Sequence, residues 1–117
     1  MKIAVLVKQV PGSESQLPLN SDQSWLDENG ISYVMNECDN YALEEALQIK
    51  EENGDGEVIV ISLGPDRVQK VIREGLAKGA DRAIHIQIDS DRVVDPLSLA
   101  TLFADAIRDE NFDLIFS

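Results

Sequence analysis

From Glu57 to Ile88 the chain reads as strand, helix and strand without a gap, and this unit limits the possible folds more than any other stretch. The run Val58-Ile59-Val60-Ile61 is apolar at every position, where a strand with one wet face would alternate. A strand of that kind is buried on both sides, which requires a parallel sheet covered by helices. It meets Ser62-Leu63-Gly64-Pro65 and turns directly into a helical pattern. In open parallel sheets the binding crevice lies at the carboxyl ends of the strands, where helix N-termini offer unpaired N–H groups to anions. A nucleotide-like ligand is therefore expected near Gly64-Pro65.

The chain opens with a second run of the same type, Ile3-Ala4-Val5-Leu6-Val7, within a strand expected over Lys2 to Val10 at the centre of the sheet. Between Pro11 and Met35 the pattern gives way to Gly, Ser, Pro, Asn and Asp. There Asp27-Glu28-Asn29-Gly30 separates Ser24-Trp25-Leu26 from Ile31-Ser32-Tyr33-Val34, and Asn-Gly between two such stretches predicts a short hairpin. A connection this long inside a small domain is often functional. Asn36 is the expected N-cap of a first helix, with Asp39 as a variant capping box, and Asn53-Gly54 ends it.

A second helix enters at Gly64-Pro65, carries Val68, Val71, Ile72, Gly75 and Leu76 on one face, and stops at Gly79. Gly75 stands where a side chain would be expected, which marks a close approach to the sheet and not a phosphate loop. Asp81 to Gln87 gives a further strand. Asp95-Pro96 opens a third helix through Leu99, Leu102, Phe103, Ala106 and Ile107, and Phe112 to Phe116 gives the last strand. The expected fold is α/β, a three-layer, mostly parallel sheet with helices on both faces joined by right-handed connections. Residues 1–117 are read as one nucleotide-binding domain, incomplete at the C-terminus because its final strand is followed by no loop.

Twenty-two acids against 10 bases, a net charge of −12, disfavour nucleic acid and anionic membrane surfaces as partners. Cys38 is the sole cysteine, and neither a bilayer-spanning apolar run nor a leader is visible. A soluble, reducing, cytoplasmic setting is expected, with no membrane insertion. No GxGxxG, GxxxxGK[ST], CxxC or HExxH occurs, and there is one histidine, so an independent hydrolase or metalloenzyme is not expected. His85 should point away from Ile84, Ile86 and Ile88 and reads as structural. Cys38 lies in a helix's first turn, which favours a thiolate, but Glu37 and Asp39 oppose this and leave a plain small residue. Lys8, after the first strand, could offset an anion, although a solvated lysine is the plainer reading. Glu44-Glu45 and Glu51-Glu52 read as solvated faces.

The segments IAVLVKQVPG, MNECDNYALEEALQIKE, VIVISLGPDRVQKVIREGLAKGADRAIHI and DPLSLATLFADAIRDENFDLIFS together resemble the electron transfer flavoprotein β subunit, over essentially the whole chain. The resemblance implies a fold of the adenine nucleotide α hydrolase-like or Rossmann-like kind. It further implies a subunit paired with an electron transfer flavoprotein α subunit, without bond chemistry of its own. The heterodimer would carry FAD and pass electrons from primary dehydrogenases, such as acyl-CoA dehydrogenases, to a quinone reductase or another acceptor.

The β subunit would hold AMP, or a second FAD in bifurcating members. Carried onto this sequence, the family's nucleotide contacts fall on Leu6, on Asn36, Glu37, Cys38 and Asp39, and on Leu63. The family's phosphate-wrapping segment follows the strand at which this sequence stops, which makes the chain resemble an N-terminal portion with half a site. A stand-alone adenine-nucleotide-binding module of the universal-stress-protein kind shares the architecture and is the alternative. The long connection after the first strand and the Asn36 helix start favour the carrier.

Overall fold

The computed structural model describes residues 1–89 and 94–117. Four parallel strands form the central sheet: β1 (Lys2–Leu6), β4 (Glu57–Gly64), β5 (Arg82–Gln87) and β6 (Leu114–Phe116), in the order β5-β4-β1-β6. Two short antiparallel strands, β2 (Gln9–Pro11) and β3 (Tyr33–Met35), form a separate ladder. The helices are α1 (Glu37–Asn53), α2 (Gln69–Lys78) and α3 (Pro96–Ile107). β1 sits inside the sheet as expected, paired with β4 from Lys2↔Glu57 to Leu6↔Ile61 and with β6 through Ile3↔Leu114 to Val5↔Phe116.

The two faces of the sheet are covered unequally. Ile3, Val5, Val58 and Val60 pack with Leu43 and Ala46 of α1 and Val71 and Ile72 of α2. Ala4, Ile59 and Ile61 face the other way, against Phe103 and Ile107 of α3 and Phe112. Both sides of β1 and β4 are thus buried, which is why their sequences do not alternate. Helices on both faces of a parallel sheet give the three layers anticipated from the sequence. Gly75 does mark a close approach. A Cβ there would lie 2.9 Å from Val60 Cγ2, so any side chain would push α2 off the sheet.

Three local expectations are corrected. Tyr33–Met35 does not pair back across Asn29-Gly30; it pairs with Gln9–Pro11, and Leu26 bridges Leu19 instead. Gly30 still turns the chain, at φ +80°, but the segment it delivers finds its ladder partner beyond the opposite end of the loop. Asp39 closes no capping box, because its carboxylate accepts the backbone N–H of Lys8 at 2.7 Å and the N–H of Asn36 is taken by the Lys8 carbonyl at 2.8 Å. Beyond Pro65 the chain makes a 3₁₀ turn at Asp66–Val68 before α2 begins at Gln69.

Candidate functional site

The strand order reverses at β1. The chain steps outward from β1 to β4 and β5, then returns to β1's other side as β6, and a crevice is expected where the connections part. A crevice of about 600 Å³ opens there, at the carboxyl ends of the strands. This is within the ordinary size range of small-molecule sites. Leu6-Val7-Lys8 enters it from β1, Leu63-Gly64-Pro65 from β4, and Ile88-Asp89 from the end of β5. Pro96, Leu99, Ala100 and Phe103 of α3 close one side, and Asn36 and Asp39 at the start of α1 another.

Leu6 and Leu63 fall together because of strand alternation. Leu6 packs on the α3 side, and Leu63 follows Ile61 by two residues on the same face. Gly64 between Leu63 and Pro65 has φ +154°, and a Cβ on it would meet Val68 Cγ1 at 2.6 Å, so the turn out of β4 is open only to glycine. His85 Nε2 lies 2.9 Å from the Gly64 carbonyl. A carbonyl only accepts, so the proton of that bond sits on Nε2 and His85 braces the crevice floor. The structural reading of this histidine is thus the one its contacts describe.

The start of α1 divides its residues sharply. Asp39, Leu43 and Ala46 form the buried stripe, at spacings of four and three, which turns Glu37 and Cys38 outward. Asp39 is 8% exposed and ties the end of β1 to the first turn of α1 through Lys8 N–H. Its charge is well placed there, next to the positive end of the helix dipole. Asn36 lines the crevice, and its side chain makes no capping bond, so the carboxamide is open to a ligand.

Glu37 accepts the Tyr41 hydroxyl at 2.9 Å, and that bond raises the Tyr41 pKa. Cys38 is free and exposed. Of the six residues singled out, Leu6, Asn36, Asp39 and Leu63 therefore line the crevice, whereas Glu37 and Cys38 are not part of its lining. Lys8 lines it too, exposed and without an ion pair among the described residues.

Sequence reasoning missed the wall built by the long connection. Trp25 and Glu28 from that arm, with Gln9 and Arg67, complete the crevice. The Arg67 guanidinium stacks 3.9 Å from the Tyr33 ring centre and donates to Gln9 Oε1 at 2.7 Å. Gln9 returns a bond to the Arg67 carbonyl at 3.0 Å. Glu28 accepts the Tyr33 hydroxyl at 2.8 Å and reaches Arg67 at 3.4 Å, and burial with that acid neighbour raises the Tyr33 pKa. The available signals were the chain's single tryptophan, in the long connection, and an arginine just past Gly64-Pro65. Among the described residues no cluster of His, Cys, Asp and Glu could hold a metal ion, and no helix is long and apolar enough to cross a membrane.

Fold and crevice together define a doubly wound α/β domain whose site lies at the point of strand reversal. A family model described as the electron transfer flavoprotein domain matches residues 24–117. The chain belongs to the electron transfer flavoprotein family. It is 40% identical over 118 residues to the electron transfer flavoprotein subunit beta of Methylophilus methylotrophus, covering 100% of this chain and 45% of that protein. The mitochondrial subunit beta of Arabidopsis thaliana is 38% identical over 116 residues, with 99% and 45% covered. The subunit beta of Mus musculus is 34% identical over 118 residues, with 99% and 46% covered. The chain thus spans a little under half the length of these relatives.

Proposed function

We propose that this chain forms the nucleotide-binding core of an electron transfer flavoprotein β subunit and holds AMP, or a second FAD, in the crevice. In this reading residues 1–117 act as one domain paired with an α subunit. The heterodimer carries FAD and relays electrons in the cytoplasm from primary dehydrogenases, such as acyl-CoA dehydrogenases, to a quinone reductase or another acceptor. The chain is a scaffold for the carrier and breaks no bonds itself.

The observation that carries the reading is the meeting of Leu6, Leu63, Asn36 and Lys8 at the carboxyl ends of the strands. Leu6 and Leu63 offer the apolar walls an adenine needs. Asn36 supplies an open carboxamide. Glu37 and Cys38 contribute through their backbone N–H groups, which as the first of α1 have no helical partner. Asp39 holds that turn in place. The family match favours this carrier over a stand-alone adenine-nucleotide module.

Calorimetric titration of the chain with AMP tests the proposal. One AMP should bind, and Leu63→Glu, which replaces an apolar wall for the adenine with a carboxylate, should abolish the heat while the circular dichroism spectrum stays unchanged. Absence of heat both with this chain and with the same protein extended beyond Ser117, or equal heat with Leu63→Glu, would contradict it.

A further inference from the structure

We propose that Trp25, the chain's single tryptophan, is the ring-stacking wall of the crevice and covers the planar heterocycle of the bound nucleotide. The proposal rests on the nucleotide reading above and names the residue that would grip the ring. Trp25 is 49% exposed and belongs to neither apolar core cluster. A large aromatic body left half in water contributes little to this fold, yet it lines the same crevice as Leu6, Leu63 and Phe103. Such a body among apolar walls can take a flat ring, since aromatic side chains accept any base or flavin on their faces.

The backbone holds Trp25 from both sides. Its N–H donates to Asn20 Oδ1 at 3.3 Å, its carbonyl accepts from Asn20 N–H at 2.8 Å, and Leu26 bridges Leu19 beyond it. Three residues further on, Glu28 is fastened to Tyr33 and Arg67. Arg67 leaves the Gly64-Pro65 turn of the crevice floor, so the arm that carries Trp25 is tied to the same turn that carries Leu63. Trp25 is the gripping residue, and Arg67, through Glu28, positions the arm that carries it.

Adenine and isoalloxazine share the required chemistry, a flat nitrogen heterocycle, and AMP and FMN serve as separate probes. Because the chain has one tryptophan, its emission reports on this position alone. Titrations of the unmodified chain with each probe, by calorimetry and by tryptophan emission with acrylamide as an external quencher, should give matching isotherms. Binding should change the emission and shield Trp25 from acrylamide. Trp25→Ala, checked for folding by circular dichroism, should weaken binding about tenfold, the order of one lost base–aromatic stack, and Trp25→Phe should recover most of it. The probe that gives the larger shielding identifies the ring.

Heat of binding with unchanged emission and unchanged acrylamide access would overturn the role of Trp25 and leave the crevice reading intact. Equal affinity in Trp25→Ala would do the same. Absence of heat with both probes, in this chain and in the same protein extended beyond Ser117, would overturn both.

Discussion

The two ends of the central sheet are built from the same four strands and use their charges in opposite ways. At the amino end, charges are tied to one another. Asp113, just before β6, accepts the N–H of Lys2 at 2.6 Å, and Asp81, just before β5, accepts the N–H of Val58 at 2.8 Å. Each outer strand thus closes the first free donor of the inner strand beside it. Around these lie Lys50 on Asp81 at 2.6 Å, Arg82 on Glu57 at 2.7 Å and on Glu110, and Lys2 on Glu110 at 2.9 Å.

At the carboxyl end, Lys8 and Asn36 face the crevice with side chains free among the described residues, and the nearest ion pair, Arg67 with Glu28, fastens a loop and not the sheet. One end pairs its charges with one another to hold the sheet together, whereas at the other Asp39 holds a turn and the side chains of Lys8 and Asn36 stay unpaired among the described residues. The fold can keep its site open because stability is supplied elsewhere: by the core and by the closed end.

A matched pair of substitutions gives the sharpest break of this comparison. Asp39→Ala and Asp81→Ala each remove a carboxylate from a backbone N–H, one at each end. Asp39→Ala should lower stability by about 2 kcal/mol, and the more exposed Asp81→Ala by somewhat less. Urea denaturation measures both. Their effects on AMP should diverge, with affinity lost in Asp39→Ala and retained in Asp81→Ala. Loss of affinity in both would show that the ends are not independent.

Acid should act on the closed end next. Arg82 first, and then Lys2, hold the Glu110 carboxyl down to about 2, below its ordinary 4.5, and Asp81 is lowered by Lys50 and the Val58 N–H. A carboxylate with a depressed folded-state pKa stabilises fully above its unfolded value, and the contribution is lost as pH falls through the folded one. The melting temperature should therefore decline from about pH 4.5 toward about 2. Glu110→Gln should flatten that decline and leave AMP affinity at pH 7 unaltered.

The smallest change in stability should come at the open end. Asn36 occupies an N-cap position whose loss ordinarily costs about 1 kcal/mol, but its side chain caps nothing. Asn36→Ala should shift stability by only about 0.3 kcal/mol, while nucleotide affinity drops several-fold in the same calorimetric titration. A full capping penalty would place the carboxamide on the helix and away from the crevice.

Where neighbours in sequence are neighbours in space, the chain was readable. The doubly buried runs of β1 and β4, the close approach at Gly75, and Asp95, whose carboxylate accepts the Ser98 N–H at 3.0 Å with its pKa lowered by that residue, all follow from local pattern. The crevice residues Leu6, Asn36, Asp39 and Leu63 were reachable because strand ends and helix starts are local features, joined here by the family resemblance.

What escaped was decided by distant partners. Tyr33–Met35 chose Gln9–Pro11 over the nearby hairpin, since a ladder fixed beside β1 and α2 offered more than the turn signal at Asn29-Gly30. Asp39 was drawn from the cap by the Lys8 N–H, which lies 31 residues away in sequence. Trp25, Glu28 and Arg67 line one crevice although Arg67 lies 39 residues from Glu28, so no local spacing announces them.

Ligand binding at the open end of the sheet should leave the closed end untouched. Amide chemical-shift mapping of the chain during AMP titration tests it most directly. Shifts should concentrate at Leu6 to Lys8, Asn36 to Asp39 and Leu63 to Arg67, with Lys2, Val58 and Arg82 unmoved. Shifts centred on the amino end, or spread evenly over both, would contradict it.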